Sequence, residues 1–247
     1  MASEKTCRES LVIIPTYNEA ENLAALVPGV LEQGPFDVLV VDDNSPDGTG
    51  AVADALVRQF PDRVAVLHRS AKLGFASAYL QGFDYALEAG YTWIFEMDAD
   101  FSHRPDALPA LREALSRAEV VLGSRYTRGG STRNWSSLRR LISQGGSAYA
   151  RFALGLPFQD VTGGFKGFRR QVLERIDLAS IRSRGYAFQV EITYRCYQQG
   201  FHIVEYPILF ADRRAGHSKM TWHIFIEAAW LVWKLRLGHF QPKEAHL

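Results

Sequence analysis

Short apolar runs that each end on a polar cluster constrain this chain more than any other feature. They are LVIIP (11–15), FDVLVVDD (36–43), RVAVLHR (63–69), WIFEMD (93–98) and VVLGSRY (120–126). Segments of helical periodicity fill the gaps: 19–31, with Asn18 placed to cap it, then 75–89 and 105–116, and a helix reaching about Phe60 after the SPDG turn (45–48). FDVLVVDD is apolar without alternation, as in a strand buried on both faces of a parallel sheet. The rhythm predicts an α/β fold, a mostly parallel sheet flanked by helices on both faces. In such sheets ligands sit beyond the carboxyl ends of the strands. The clusters PTYNE, VDDNS, HRSAKLG, MDAD and GSRY are therefore expected on one edge.

The second half reads differently. TRGGSTRNW (127–135) is a polar, glycine-rich loop, and 138–154 is a helix with a glycine pair inside it. DVTGGFKGFRR (160–170) gives a turn and a short strand, 185–200 a helix, FHIVEYPILF (201–210) a strand, and RRAGHSKM (213–220) a basic loop. On a helical wheel, residues 222–237 place His223, Glu227 and Lys234 in a narrow stripe, with tryptophan and aliphatic residues over most of the rest. That pattern suits a helix packed on the sheet, or one lying at a membrane interface.

Composition narrows the partners. The net charge of +1 gives no global field for nucleic acid, so phosphate binding has to come from locally placed arginines. Cys7 and Cys196 have no metal-site spacing, which fits a reducing cytoplasm. The N-terminus lacks the apolar stretch of a signal peptide, and no run of about 18 apolar residues predicts a transmembrane helix.

The acidic pairs carry the chemistry. If Asp98 and Asp100 continue an extended strand, both point to one side and repel unless a helix end or a cation offsets them. One reading is a capped loop; the other is a hard divalent ion such as Mg²⁺ shared with phosphate oxygens. An EF-hand is excluded, because its sixth and twelfth positions would be His103 and Pro109. His103 itself reads as an exposed loop residue. Asp42 and Asp43 either open a turn or accept hydrogen bonds from a ribose or base. No GxGxxG follows the first strand and no GxxxxGK[ST] occurs, which argues against a dinucleotide fold and a P-loop. Arg125 ends a strand on the expected active edge. Arg139 and Ser143 share a helix face, and Arg213 and Lys219 flank GHS.

PTYNExxN, VVDDNSPDGT, KLGFASAYLQGF, MDADFSHRP, GSRY, VTGGFKGFRR, GYAFQVE and DRRAGHSK occur in this order over about residues 10–221. In this the chain resembles the dolichyl- or polyprenyl-phosphate mannose synthases of glycosyltransferase family 2, in a short form without transmembrane helices. The resemblance implies a GT-A type, Rossmann-like domain over 1–221 and a C-terminal amphipathic, interface-type helix and tail over 222–247. It implies that Pro15, Tyr17 and Glu19, with Val41 and Asp43, cradle the nucleotide. Asp98, Ala99 and Asp100 would meet the sugar and diphosphate, with Asp100 on Mg²⁺ or Mn²⁺. Where several relatives carry glutamine this chain has Ser102, whose shorter hydroxyl is the candidate third metal ligand beside Asp98 and Asp100, with water as the alternative. Arg125, Arg213 and Lys219 would face the donor phosphates or the acceptor, and Arg139 and Ser143 the lipid phosphate.

The implied reaction is transfer of mannose from GDP-mannose to dolichyl or polyprenyl phosphate. A lipid phosphate is already ionised at neutral pH and needs no general base, and its in-line attack at the anomeric carbon would invert the configuration. The resemblance places the protein in the cytoplasm, peripherally on a membrane (the cytosolic face of the endoplasmic reticulum in a eukaryote), and allows a small membrane-anchoring subunit. A polyprenyl-phosphate glycosyltransferase using another sugar nucleotide keeps the same motifs, whereas the intact Asp98, Asp100, Arg125, Arg213 and Lys219 argue against the other rival, a non-catalytic nucleotide-sugar-binding scaffold.

Overall fold

The computed structural model describes residues 8–181, 183, 185–212, 230 and 232–237. Its first half alternates strand and helix: β1 (Ser10–Thr16), α1 (Ala20–Leu31), β2 (Phe36–Asp42), α2 (Thr49–Gln59), β3 (Val64–His68), α3 (Phe75–Ala89) and β4 (Trp93–Glu96). A 3-10 turn leads into α4 (Leu108–Arg117), then β5 (Val120–Ser124) and the short β6 (Ser131–Thr132). There follow α5 (Ser137–Leu154), β7 (Lys166–Arg169), α6 (Arg170–Arg175), α7 (Tyr186–Gln198), β8 (Ile203–Pro207) and β9 (Leu209–Phe210). The sheet order is β3-β2-β1-β4-β7-β5-β8, and β6 pairs with β9 apart from it.

Every strand of the large sheet runs in one direction except β7, which is antiparallel to both β4 and β5. The fold is therefore the mostly parallel α/β sheet expected from the sequence. The reversal matters for the site. It brings the start of β7 to the edge where β4 and β5 end, with Lys166 opposite both Glu96 and Leu122.

Strand alternation builds a core on each face. Leu11 and Ile13 of β1 join Tyr79, Phe83, Phe168 and Phe188 on one side. Val12 and Ile14 join Leu23, Leu26, Phe95 and Leu108 on the other. At Gly82, α3 lies so close to β1 that an added β-carbon would come within 2.6 Å of Ile13 Cγ2. Only glycine permits that approach without repacking.

Several expectations change. Asn18 does not cap α1; it takes a left-handed φ of 61° and its N–H donates to Ser45 Oγ (3.0 Å). The α2 loop caps α1 from outside: Asp47 Oδ2 accepts from Ala20 N, and Thr49 Oγ1 accepts from Glu19 N. FHIVEYPILF is two strands, because Pro207 ends β8 and β9 turns away to pair with β6. The helix α6 was not anticipated. Of 222–237, the described part is helical at 230 and 232–236, with Val232 and Leu235 packed on Ala150, Ala153 and Leu154 of α5. The rest of that segment, and Arg213 and Lys219, lie outside the described residues.

Candidate active site

The polar clusters do meet at one edge, beyond the carboxyl ends of β1 to β5. Pro15 is the second-last residue of β1, and the Tyr17 ring lies 3.6 Å from the Lys72 ammonium. Glu19 accepts from Asn22 Nδ2 (2.8 Å). Val41 has its side chain wholly in the core, which leaves only its backbone for a ligand.

The acidic pair after β2 is largely occupied within the protein. Asp42 accepts from Thr16 Oγ1 (3.1 Å), Ser45 N (3.1 Å) and Ser45 Oγ (2.6 Å), the turn-opening role. Asp43 is buried in an ion pair with Arg69 and also accepts from Gly74 N (2.8 Å). It thus holds the β3–α3 loop against β2. Both of its carboxylate oxygens already accept hydrogen bonds from the protein.

The second pair, Asp98 and Asp100, is not on an extended strand. β4 ends at Glu96, and Phe101 takes a left-handed φ of 61°, uncommon for an aromatic residue. The reversal turns the Ser102 N–H onto Asp100 Oδ1 (3.0 Å), and the Ser102 hydroxyl donates to the same oxygen. Ser102 is buried there and supports Asp100 from behind. The Asp98 side chain is 43% exposed, and its Oδ1 accepts from Tyr79 OH (3.4 Å). Ala99 between them is buried.

His103 is buried too, not the exposed loop residue expected. Its ring stacks on Phe165 (4.9 Å between centroids), and Nδ1 accepts the Asp98 N–H (3.1 Å), which puts the proton of the neutral ring on Nε2. Burial lowers its pKa, against the opposing pull of Asp98 and Asp100, and favours that neutral form.

Arg125 lies at the end of β5 as foreseen, but in an ion pair that sequence reading missed. Its Nε and Nη2 grip Asp160 Oδ2 (2.6 Å) and Oδ1 (2.7 Å), its backbone N–H donates to Oδ2 (3.0 Å), and Nη2 also reaches Thr162 Oγ1 (2.9 Å). Burial alone would raise the Asp160 carboxyl. The charge and hydrogen bonds of Arg125 outweigh it and hold the carboxyl below its ordinary range. Arg125 is thus fixed between the strand end and the VTGG turn.

Arg139 and Ser143 share a face of α5, whose N-terminus is capped by Ser136 Oγ accepting from Arg139 N (3.2 Å). Arg139 pairs with Asp212 (2.7 Å), and Ser143 Oγ accepts from Tyr126 OH (2.6 Å). Trp135 lies between the arginines, its ring 5.7 Å from Arg125 Cζ and 4.2 Å from Arg139 Cζ.

Beneath the edge, Lys166 and Glu96 are wholly buried cross-strand neighbours. Burial lowers Lys166 to about 8 and raises Glu96 to about 7, each partly countered by the other's charge. Lys166 Nζ donates to Gln189 O (2.5 Å) and Thr193 Oγ1 (2.8 Å), tying β7 to α7.

Two carboxylates in a turn at a parallel sheet edge, with cationic and hydroxyl groups on the neighbouring elements, define a nucleotide-sugar transferase type of site. The comparisons agree. The model of the family "Glycosyl transferase family 2" matches residues 11–177. The chain is 47% identical to the polyprenol monophosphomannose synthase of Mycolicibacterium smegmatis over 95% of its length and 90% of that protein's. It is 48% identical to the undecaprenyl-phosphate mannosyltransferase of Micrococcus luteus, covering 88% and 90% of the two chains. A crystal structure of the Mycobacterium tuberculosis glucosyl-3-phosphoglycerate synthase, with Mn²⁺, uridine diphosphate and glucosyl-3-phosphoglycerate, matches with a TM-score of 0.64 at 17% identity, over 98% of this chain and 83% of that one. The mannosyltransferase PcManGT of Pyrobaculum calidifontis, in complex with GDP-Man and Mn²⁺, matches with a TM-score of 0.57 at 18% identity, over 94% and 61%. This chain belongs to glycosyltransferase family 2, in the branch of the polyprenyl-phosphate mannose synthases. It is accordingly an enzyme with a GT-A fold.

Proposed function

We propose that this enzyme transfers mannose from GDP-mannose to a polyprenyl or dolichyl phosphate and inverts the anomeric carbon. The observation that carries the reading is the two-sided character of α5. Arg139 and Ser143 lie on a face tied to Arg125 through Trp135 and Tyr126. Leu138, Leu141, Ile142, Tyr149 and Phe152 point outward and are exposed, Phe152 to 88%. One helix offers a place for a phosphate and, beside it, an apolar stripe for a lipid tail. The names of the two relatives near half identity support the acceptor and the sugar. A solved structure sharing the fold is described with GDP-Man and Mn²⁺, which is compatible with that donor and metal.

In this mechanism an oxygen of the acceptor phosphate attacks the anomeric carbon. The bond from that carbon to the diphosphate breaks, and GDP leaves with the electron pair. The acceptor is already an anion, so no side chain has to remove a proton. Tyr17 and Glu19 flank the nucleotide, and Arg139 and Ser143 orient the acceptor phosphate. Arg125, held by Asp160, fixes the turn between them, and Arg213 and Lys219 add charge toward the phosphates. The residues also fit a divalent cation. Asp98 and Asp100 are hard oxygen donors that would hold Mg²⁺ or Mn²⁺ together with phosphate oxygens, with Ser102 positioning Asp100. Such an ion would offset charge on the leaving diphosphate.

Among the described residues no helix is long and apolar enough to cross a membrane. Trp230, Trp233 and Leu237 are also exposed, on the segment whose Val232 and Leu235 pack against α5, and we place the exposed stripe of α5 in the headgroup region of the bilayer that carries the acceptor. Purified protein, Mn²⁺ and vesicles containing polyprenyl phosphate test the function. Transfer from GDP-mannose, and at least about tenfold less from UDP-glucose or UDP-N-acetylglucosamine, is the expected result. Equal or preferred use of a UDP sugar would refute the donor. Leu141→Glu combined with Phe152→Glu is expected to cut transfer to vesicle-borne acceptor by roughly tenfold or more, while transfer to a short water-soluble analogue persists. Equal losses on both acceptors would refute the membrane face.

A further inference from the structure

Ser143 lies inside α5, where a serine has a competing use for its proton. It can donate to the carbonyl four residues back in its own helix, here that of Arg139. The group that fixes Ser143 comes from outside the helix. Tyr126, two residues beyond the end of β5, brings its hydroxyl within 2.6 Å of Ser143 Oγ. A phenol is a stronger acid than an alkyl alcohol, so Tyr126 donates and Ser143 accepts. Burial pushes the Tyr126 pKa above its ordinary value, against the opposing pull of Arg125 and Ser143, and the phenol keeps its proton. Tyr126 is itself held from two sides. Its backbone N–H donates to Ser124 Oγ (3.4 Å), which also accepts from Thr127 N (3.1 Å) and closes a turn directly after the strand. Arg125 Cζ lies 5.0 Å from the centre of its ring, and that guanidinium is locked on Asp160. The sheet edge therefore sets where the hydroxyl stands. Arg139, one turn before Ser143, has separate holders in Asp212 (2.7 Å) and the Trp135 ring.

We propose that Tyr126 is a positioning residue for the acceptor, its hydroxyl directing the Ser143 proton to the phosphate of the lipid. The inference rests on the polyprenyl-phosphate reading above and deepens it. The oxygens of an ionised phosphate accept hydrogen bonds and have none to give. A serine hydroxyl has one proton and two lone pairs. With Tyr126 taking one lone pair, the hydroxyl turns less freely about its Cβ–Oγ bond, and its proton stays available to the anion. Hydrogen bonds in a chain polarise one another, so the Ser143 O–H is also a stronger donor than it would be alone. No proton changes hands. Arg139 supplies charge to the phosphate, Ser143 supplies direction, and Tyr126 ties that direction to the strand end that carries Arg125.

The test titrates citronellyl phosphate, a short water-soluble prenyl phosphate, into the full chain by calorimetry. The proteins are the wild type, Tyr126→Phe, Ser143→Ala and the double variant. Tyr126→Phe deletes one oxygen and keeps the ring beside Arg125; circular dichroism and thermal melting check that each variant folds. Tyr126→Phe is expected to weaken binding by roughly 3- to 10-fold, and Ser143→Ala by at least as much. On the Ser143→Ala background the tyrosine change should matter by less than about twofold, because the group it acts through is gone. GDP affinity in the presence of Mn²⁺ should stay within about twofold throughout, and in steady-state transfer Tyr126→Phe should raise the acceptor KM with the donor KM unaltered. Unchanged binding in Tyr126→Phe would overturn the assignment. A loss that persists in full on the Ser143→Ala background would overturn it too, since Tyr126 would then touch the phosphate itself or act only on the fold. A parallel loss of GDP affinity would count against it in the same way. A wild type that binds citronellyl phosphate without transferring mannose defeats the donor reading and leaves this comparison intact. A wild type that binds no prenyl phosphate defeats the acceptor reading and this inference together.

Discussion

Replacing Asp100 with alanine is expected to lower glycosyl transfer by roughly 10³-fold or more, because charge on the leaving diphosphate would lose its counter-ion. The structure makes Asp100 the better-defined member of its pair. It is buried, and both the N–H and the hydroxyl of Ser102 aim its Oδ1. Asp98 is more exposed and is held by the long Tyr79 contact. Calorimetric titration with GDP in the presence and absence of Mn²⁺ separates the two parts of the effect. The alanine variant should lose the metal-dependent increment in GDP affinity and keep the metal-independent part. Substantial transfer by Asp100→Ala with metal present would sink the metal-site assignment. Ser102→Ala is the companion measurement: as a positioning residue it should cost far less than Asp100, and an equal loss would make it a ligand after all.

The largest stability effect is expected at Asp160. Asp160→Asn removes the charge that faces a buried guanidinium gripped at two points. Leaving one member of such a pair uncompensated costs about 3–5 kcal/mol. For a chain of this size that corresponds to a fall in Tm of roughly 10 °C. The pH dependence follows from the lowered Asp160 pKa. A carboxyl held below its unfolded value contributes stability in full above that value, near 4, and the contribution fades as pH falls through it toward the folded value. The gap in Tm between wild type and variant should therefore be constant from about pH 6 to 8 and shrink below about pH 4. A gap that widens on acidification would contradict the assignment. Arg125→Met with Asp160→Leu is expected to recover part of the loss, since two apolar groups replace a pair whose desolvation is costly.

The frame of the site was legible because it depends on local pattern. Apolar runs ending in polar clusters placed Tyr17, Asp43, Asp98 and Arg125 at strand ends, and strand ends share an edge whenever the strands are parallel. What escaped depends on contacts between distant segments. Asp160 meets Arg125 across 35 residues, and nothing near either one signals the other. His103 looked exposed because its neighbours are polar, but Phe165 of a later turn covers it. Asp98 and Asp100 were placed on one side by strand alternation, which stops applying where β4 ends at Glu96. Asn18 had the chemistry of a cap, but Asp47 and Thr49 reached the helix end first. Ser102 reads as a weak metal ligand in the sequence and as a brace for Asp100 in the fold.

The reversed strand β7 sets the order in which the sheet can be completed. β4 and β5 leave the ribosome well before it, yet in the finished sheet they never touch; each pairs with β7. Until Lys166–Arg169 exist, one half of the sheet ends at β4 and β5 has no neighbour on that side. The same late segment carries Asp160, Gly164 and Lys166 to the edge. A partly made chain therefore holds the Asp98–Asp100 turn and Arg125 on separate pieces, and the strand that joins them is also the one that fuses the two halves of the sheet.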